Sequence, residues 1–197
     1  MDENVLTYVV LVIVIIGCLY VYFENNDFDL KCIVSSVDGN KYCVRERSKL
    51  KEASNLLANV SKKCKDLVAY MDEHHSSKEN VQRLVKGFDQ TVIKETLPTS
   101  KFTAYSENKG EKIAFCLNKK KQNNENLIDE HTLMFVAIHE LAHVMTLSIG
   151  HKTEFWDNFK FLLENAKDAG IHQPVDYSEK PQEYCGMTIS DIPYYDQ

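Results

Sequence analysis

The sequence has little glycine, little proline and no excess of basic residues, and each shortage excludes a class of protein. Only 7 Gly and 4 Pro occur in 197 residues, which excludes collagen-like repeats and proline-rich linkers. Lys and Arg number 23 against 29 Asp and Glu, so the net charge is −6. A nucleic-acid-binding surface needs clustered positive charge to neutralise phosphates. We therefore expect no nucleic-acid partner.

Basic residues are also absent from the first 23 positions, which contain a long apolar stretch. Residues 5–23 carry no charge, and as a helix they would extend about 28 Å, close to the ~30 Å hydrocarbon core of a bilayer. The acidic start and the bulky far end do not fit a cleaved signal peptide. We therefore predict a transmembrane anchor over residues 1–24 and a single-pass membrane protein. Lys31 and Lys41 downstream favour a body on the cytosolic side.

The 6 cysteines form no CxxC pair, which excludes a zinc knuckle built on cysteine. Cys18 lies in the apolar stretch, and the five others are an odd number for a complete set of disulfides. Cys32 and Cys43 flank a predicted hairpin, where they could form a disulfide or remain buried thiols. The sequence leaves the pairing open.

The rest of the chain predicts one α+β domain without internal repeats. Residues 25–47 form a β-hairpin around Asp38-Gly39 that leads into a body over residues 48–197. From residue 48, apolar residues recur every three or four positions for about 25 residues, which predicts an amphipathic helix. That helix either packs on its own domain or pairs as a coiled-coil dimer. A helix over residues 78–88 and a second hairpin turning at residues 108–110 follow.

One helical segment carries recognisable chemistry. Asp129 is its predicted N-cap and Gly150 its predicted stop. Inside it, HELAH places His139 and His143 one turn apart on one face, so both imidazoles can reach one metal ion. Glu140 lies beside that metal, where a carboxylate can accept a proton from water. These polar groups interrupt an apolar run, where burial without a partner would cost several kcal/mol. The motif therefore predicts a Zn²⁺ site.

A catalytic zinc usually has three protein ligands, so a third ligand must exist. His151 follows Gly150, and a glycine lets the chain reverse so that the next side chain points back at the metal. Glu154 and Glu164 on the following helix are the alternatives. The remaining histidines lack such placement, and we expect them at the surface: His74, His75, His131 and His172.

The stretch HELAHVMTLSIGHKTEFW resembles the signature of the WLM and SprT-like zinc metallopeptidases, in which HExxH is followed by a turn, a third histidine and an aromatic residue. The resemblance extends to membrane-anchored WLM-like metallopeptidases of large DNA viruses, through stretches similar to KGEKIAFCL and PVDYSEKPQEYCGM. WLM relatives place the third histidine about six residues after the second, whereas His151 lies eight residues after His143. A longer loop must therefore bring His151 to the metal.

The resemblance implies a zincin-like fold with a mixed or antiparallel sheet, and hydrolysis of peptide bonds. His139, His143 and His151 would bind Zn²⁺, and Glu140 would act as general base. A protein or peptide substrate would lie along an edge strand, for which the strand near residues 113–115 is the candidate. The anchor would lie in a host or virion membrane. Four tyrosines could stabilise the oxyanion, and the sequence does not choose among them: Tyr177, Tyr184, Tyr194 and Tyr195.

Met187 also invites two interpretations, a turn beneath the metal as in metzincins or ordinary core packing. The alternative to an enzyme is an inactive, membrane-anchored structural protein, such as one of a viral envelope, that binds zinc for stability. Closed structural zinc sites usually have four Cys or His ligands and need no acid beside the metal. Because Glu140 is present, the sequence favours the peptidase.

Overall fold

The computed structural model describes residues 3–24, 30–121 and 126–195. The helices of this part are α1 (Glu3–Glu24), α2 (Leu50–His75), α3 (Glu79–Phe88), α4 (Glu130–Met145) and α5 (Thr153–Asp168), with a 3₁₀ turn over Pro193–Tyr195. The strands are β1 (Leu30–Val34), β2 (Lys41–Arg45), β3 (Val92–Glu95), β4 (Ala104–Glu107), β5 (Lys112–Phe115), β6 (Gln182–Tyr184) and β7 (Met187–Ile189). The body therefore has the α+β composition that the sequence predicts.

The strands form a mixed sheet and two hairpins. β5 lies at the centre of the sheet, parallel to β3 and antiparallel to β4, so β4 is an edge strand. β1 pairs with β2 around the predicted turn, and β6 pairs with β7 near the C-terminus. The start of the predicted first hairpin segment, residues 25–29, lies outside the described residues.

The predicted transmembrane anchor is wrong. Crossing the hydrocarbon core takes about 20 consecutive apolar residues. In the part of the chain that the structure describes, no helix combines the length and the apolar character needed for that crossing. The predicted single-pass membrane location depends on this anchor and is wrong for the same reason. The predicted membrane contact through residues 5–23 and the cytosolic orientation have no support without it.

The apolar stripe of α2 is buried in the core of its own domain. Leu57, Val60, Cys64 and Met71 have at most 1% of their surface exposed, and the helix packs against α3 and α4. A coiled-coil dimer would need the same stripe to face a second chain. Of the two interpretations of this helix, packing within the domain is therefore the one that the structure shows.

Helix α4 begins where the sequence predicts and ends earlier. The Asp129 side chain accepts a hydrogen bond from the Thr132 backbone N at 2.8 Å, which is an N-cap contact. At the other end, Thr146 adopts an extended conformation, and its hydroxyl donates to the Ala142 carbonyl at 2.6 Å. The helix therefore stops at Met145, and a loop over residues 146–152 precedes α5.

The turn between β4 and β5 is seated closely against α3. An ideal Cβ added to Gly110 would lie 2.4 Å from the Gly87 carbonyl oxygen, which leaves no room for a larger residue. Gly110 also has a φ of 112°, a conformation that L side chains rarely adopt. This contact brings the turn to the C-terminal end of α4.

Two disulfides connect parts of the body. Cys32 pairs with Cys43 across β1 and β2, and Cys116 after β5 pairs with Cys185 in the turn between β6 and β7. Cys64 is a buried free thiol. The second disulfide therefore attaches the C-terminal hairpin to the central sheet.

Replacement of Cys116 and Cys185 by Ala should lower the free energy of unfolding by about 4 kcal/mol, because the bond closes a loop of about 70 residues in the unfolded chain. Urea denaturation of the full chain, measured beside a Cys18→Ser control at an exposed position, tests this. Equal stabilities of the double variant and the control would show that the bond contributes nothing in solution.

Candidate metal centre

The imidazoles of His139, His143 and His151 converge at one point. His139 and His143 lie one turn apart on α4, and His151 approaches from the loop before α5. His151 Nε2 lies 3.1 Å from His143 Nε2 and 3.1 Å from His139 Nε2. The candidate ligand atoms all lie within 4.8 Å of one another. Gly150, with a φ of 80°, reverses the chain as the sequence predicts.

This donor set fits a tetrahedral metal ion. Zinc–nitrogen bonds of about 2.0–2.1 Å place two ligand nitrogens about 3.3 Å apart, close to the separations seen here. Burial and the two neighbouring imidazoles lower the pKa of His139 to about 3. Burial, His151 and Lys109 lower the pKa of His143 to about 4. Both rings are therefore neutral at physiological pH, which is the form that binds a metal.

Phe155 on α5 supports all three imidazoles. Its ring is fully buried, and the ring centroids lie 4.4 Å from His143, 4.5 Å from His151 and 4.8 Å from His139. The sequence pattern alone does not single out Phe155. The one signal that could have found it is the aromatic residue that follows the third histidine in the signature.

Glu140 lies in the wall of the cleft that the three histidines enter. Its side chain is buried, and burial raises the pKa of this carboxyl to about 8. The position follows from the helix, because a residue next to His139 points about 100° away from it and so faces the side of the cluster. Its role as general base stays a prediction.

The alternative third ligands lie elsewhere. Glu154 accepts hydrogen bonds from the backbone N of Leu147 at 2.9 Å and of Ser148 at 3.0 Å, and these bonds lower the pKa of its carboxyl to about 2. Glu164 is exposed further along α5. Among the described residues, the cluster of candidate ligands contains three histidines and no carboxylate.

The other histidines are not all at the surface. His172 is only 4% exposed, and its ring centroid lies 4.3 Å from that of His131, whose Nε2 lies 2.7 Å from the Gln173 carbonyl. His75 is half-buried, and His74 is exposed as expected. The surface prediction is therefore wrong for His172, because the segment after α5 folds back over the start of α4.

A cleft of about 1210 Å³ opens beside the three histidines. Residues 100–109, which include β4, line one side, and residues 187–191, which include β7, line the other. The predicted substrate strand near residues 113–115 is β5, which lies in the middle of the sheet with a strand on each side. The edge strand of this sheet that borders the cleft is β4.

Of the four candidate tyrosines, Tyr184 is the one that lines the cleft. It is buried, and its hydroxyl donates to the Thr103 carbonyl at 3.1 Å. Burial raises the pKa of Tyr184 above its ordinary value. Met187 is 48% exposed and lines the cleft, so it is not buried in the core.

Comparison with known proteins finds viral relatives and no matching family model. The chain is 27% identical over 195 residues to an uncharacterized protein of Acanthamoeba polyphaga mimivirus, which covers 97% of this chain and 98% of that protein. It is 36% identical over 75 residues to an uncharacterized protein of Invertebrate iridescent virus 6, or 37% of this chain and 40% of that protein. A further match, 41% over 61 residues, is to an uncharacterized protein of Invertebrate iridescent virus 3, or 30% of this chain and 36% of that protein. The predicted similarity to viral proteins is thus confirmed.

Two crystal structures of Wss1 from Saccharomyces cerevisiae, one of them a mutant, also resemble the chain. The TM-scores are 0.46 and 0.48, with 19% and 17% sequence identity. The superpositions cover 63% and 66% of this chain, and 86% and 91% of the Wss1 chains.

Proposed function

We propose that the protein is a zinc-dependent metallopeptidase that hydrolyses peptide bonds in extended polypeptide segments. One observation carries the proposal: three imidazoles converge at the side of a cleft that also contains a buried glutamate and an edge strand. A metal, a proton acceptor and a strand-like binding edge are the parts that peptide hydrolysis needs in one place.

His139, His143 and His151 would hold the zinc ion through their Nε2 atoms. Three nitrogen ligands with an open fourth position are typical of catalytic zinc, and imidazole suits zinc better than the hard cations that prefer oxygen. Zinc bound there would supply Lewis-acid chemistry, because it polarises a carbonyl group and lowers the pKa of water.

The openness of the site favours an enzyme over a zinc-stabilised structural protein. His151 is exposed, and the cluster borders the cleft instead of being enclosed by protein. In the part of the chain that the structure describes, the cluster of candidate ligands has no fourth member. A structural site would be closed by a further Cys or His.

Glu140 would move the protons of the reaction. Beside a zinc cation this carboxyl would be ionised despite its burial, and the carboxylate would accept a proton from the attacking water as the oxygen bonds to the peptide carbonyl carbon. It would then pass that proton to the amine nitrogen as the carbon–nitrogen bond breaks. Proton transfer by a positioned carboxylate of this kind contributes typically about 10²–10⁴-fold to a rate.

The cleft favours an extended substrate with apolar side chains. β4 has a strand neighbour on one side within its sheet, so its outer edge can pair with an added strand. Large apolar residues are exposed around the cleft, with Phe102 62% exposed, Met187 48% and Trp156 39%. We expect such side chains to bind the apolar residues that an unfolded polypeptide exposes.

Mapping of the new chain ends in a reduced, carboxymethylated protein substrate tests the function. The zinc-loaded full chain should cut this substrate next to large apolar residues, zinc removal by a chelator should stop the cutting, and added zinc should restore it. If the chain binds one zinc ion per molecule and does not cleave the substrate, the peptidase proposal is contradicted. That result would support the structural alternative.

A further inference from the structure

The segment over residues 145–148, where α4 ends and the loop to His151 begins, is held by polar side chains from three different elements. These are Arg83 on α3, Lys109 in the turn between β4 and β5, and Glu154 on α5. We call Arg83, Lys109 and Glu154 the loop clamp.

Glu154 binds the backbone N–H groups of the segment. Its Oε1 accepts from the Leu147 backbone N at 2.9 Å, and its Oε2 accepts from the Ser148 backbone N at 3.0 Å. Arg83 supports the carboxylate, because Arg83 Nη2 lies 3.5 Å from Glu154 Oε1 and Arg83 Nε donates to the Met145 carbonyl at 3.1 Å. Each carboxylate oxygen therefore has a backbone partner of its own.

Lys109 binds the carbonyl groups of the same segment. Its Nζ donates to the Thr146 carbonyl at 2.7 Å and to the Ser148 carbonyl at 3.3 Å, and it lies 3.5 Å from the His143 carbonyl. The last carbonyls of a helix lack intrahelical partners and carry partial negative charge, so a cation is favourable there. The carboxylate of Glu154 thus binds backbone N–H groups of the segment, and the ammonium group of Lys109 binds its carbonyl groups.

The turn that carries Lys109 is itself constrained. Asn108 and Lys109 are not glycines, yet they have φ values of 49° and 58°. Such left-handed conformations of ordinary residues are uncommon and persist where the surrounding structure holds them. The close contact of Gly110 with Gly87 provides that support.

Burial of apolar side chains does not explain the conformation of the loop over residues 146–152. Leu147 is 71% exposed and Ile149 is 86% exposed, so neither side chain anchors the loop in the core. The polar contacts of the loop clamp act on the backbone of residues 145–148. Together with the bond from Asn158 Nδ2 to the Thr146 hydroxyl at 2.9 Å, they hold the chain as it leaves α4.

We propose that Arg83, Lys109 and Glu154 are positioning residues that hold the His151 loop in its metal-binding geometry before a metal binds. The inference rests on the proposed function, since the order of this loop matters to chemistry only if the histidines bind a metal. It also gives the loop between His143 and His151 a role, because the clamp binds the backbone of residues 145–148 within that stretch.

The test uses the full chain with Glu154→Ala and Lys109→Met, and with Glu164→Ala as the matched control on an exposed site of the same helix. Loss of an outer partner of a metal site typically weakens metal affinity by about 10–100-fold, and we expect that loss in a chelator competition with zinc for both variants. The Leu147 and Ser148 amide hydrogens should exchange faster in zinc-free Glu154→Ala, while its Tm stays at that of the control. Glu154→Gln, which keeps one acceptor oxygen, should restore part of the affinity.

Zinc affinity and amide exchange equal to those of Glu164→Ala in both variants would overturn the inference. If zinc-free Glu154→Ala does not fold, Lys109→Met decides by the same two measurements, because its lost contacts are to carbonyls alone. A parent chain that binds no zinc would instead refute the proposed function. In that event, amide exchange of Leu147 and Ser148 still tests whether the clamp holds the loop. Exchange equal to that of the control would refute the clamp, and faster exchange would support it.

Discussion

Substitution of Glu140 by Gln is expected to lower the rate of peptide hydrolysis by about 10²–10⁴-fold while zinc remains bound. Gln has nearly the shape of Glu, so it fits the same buried position in the cleft wall. Its amide cannot accept a proton from water, so the proposed proton transfer is lost. The predicted ligands are three imidazoles, which the substitution leaves intact.

Initial rates and zinc content, measured on the same preparation, check this expectation. Glu164→Gln is the matched control, because Glu164 is an exposed glutamate on α5 outside the cluster. A Glu140→Gln chain that hydrolyses peptides at the rate of the parent would refute Glu140 as the general base. Loss of zinc together with loss of activity would give Glu140 a different role, in metal binding.

Substitution of His151 by Ala is expected to weaken zinc binding by more than about 100-fold, because it removes a ligand. Loss of a residue that only supports a ligand typically costs about 10–100-fold. The side chain is exposed, so its removal opens no cavity in the core and the zinc-free chain should remain folded. Competition with a zinc chelator measures the affinity, and circular dichroism checks the fold.

His74→Ala is the control for this experiment, because His74 is an exposed histidine on α2, away from the cluster. It should bind zinc as the parent does. If the His151→Ala chain binds zinc as tightly as the His74→Ala chain, then His151 is not a ligand and the longer loop has no part in the site.

The parts of the site that the sequence predicts are those that depend on local spacing. His139 and His143 are four residues apart, and the helix alone brings them to one face. Asp129 caps that helix through a contact within four residues. Gly150 reverses the chain beside His151, which is again a property of neighbouring residues.

The parts that the sequence does not predict depend on contacts between distant segments. Lys109 meets the end of α4 because the turn between β4 and β5 is seated against α3. Nothing in the sequence near Lys109 signals that contact. The edge strand beside the cleft cannot be predicted from the order of the chain either. β3 precedes β4 along the chain, yet the two strands pair with opposite sides of β5.

The prediction for His172 is wrong because it rests on spacing alone: His172 lacks the spacing of a metal ligand. Spacing describes a segment by itself, whereas the burial of His172 depends on what packs over it. The ring contact between His172 and His131 brings together residues 41 positions apart.

Zinc K-edge X-ray absorption on the zinc-loaded full chain tests the central claim most directly. The account predicts one zinc per chain with three imidazole nitrogens and one oxygen from solvent, at about 2.0–2.1 Å, which is an open catalytic coordination sphere. Four protein ligands, or sulfur among the ligands, would contradict the open three-histidine site. A folded chain that retains no zinc in the presence of excess metal would contradict the metallopeptidase itself.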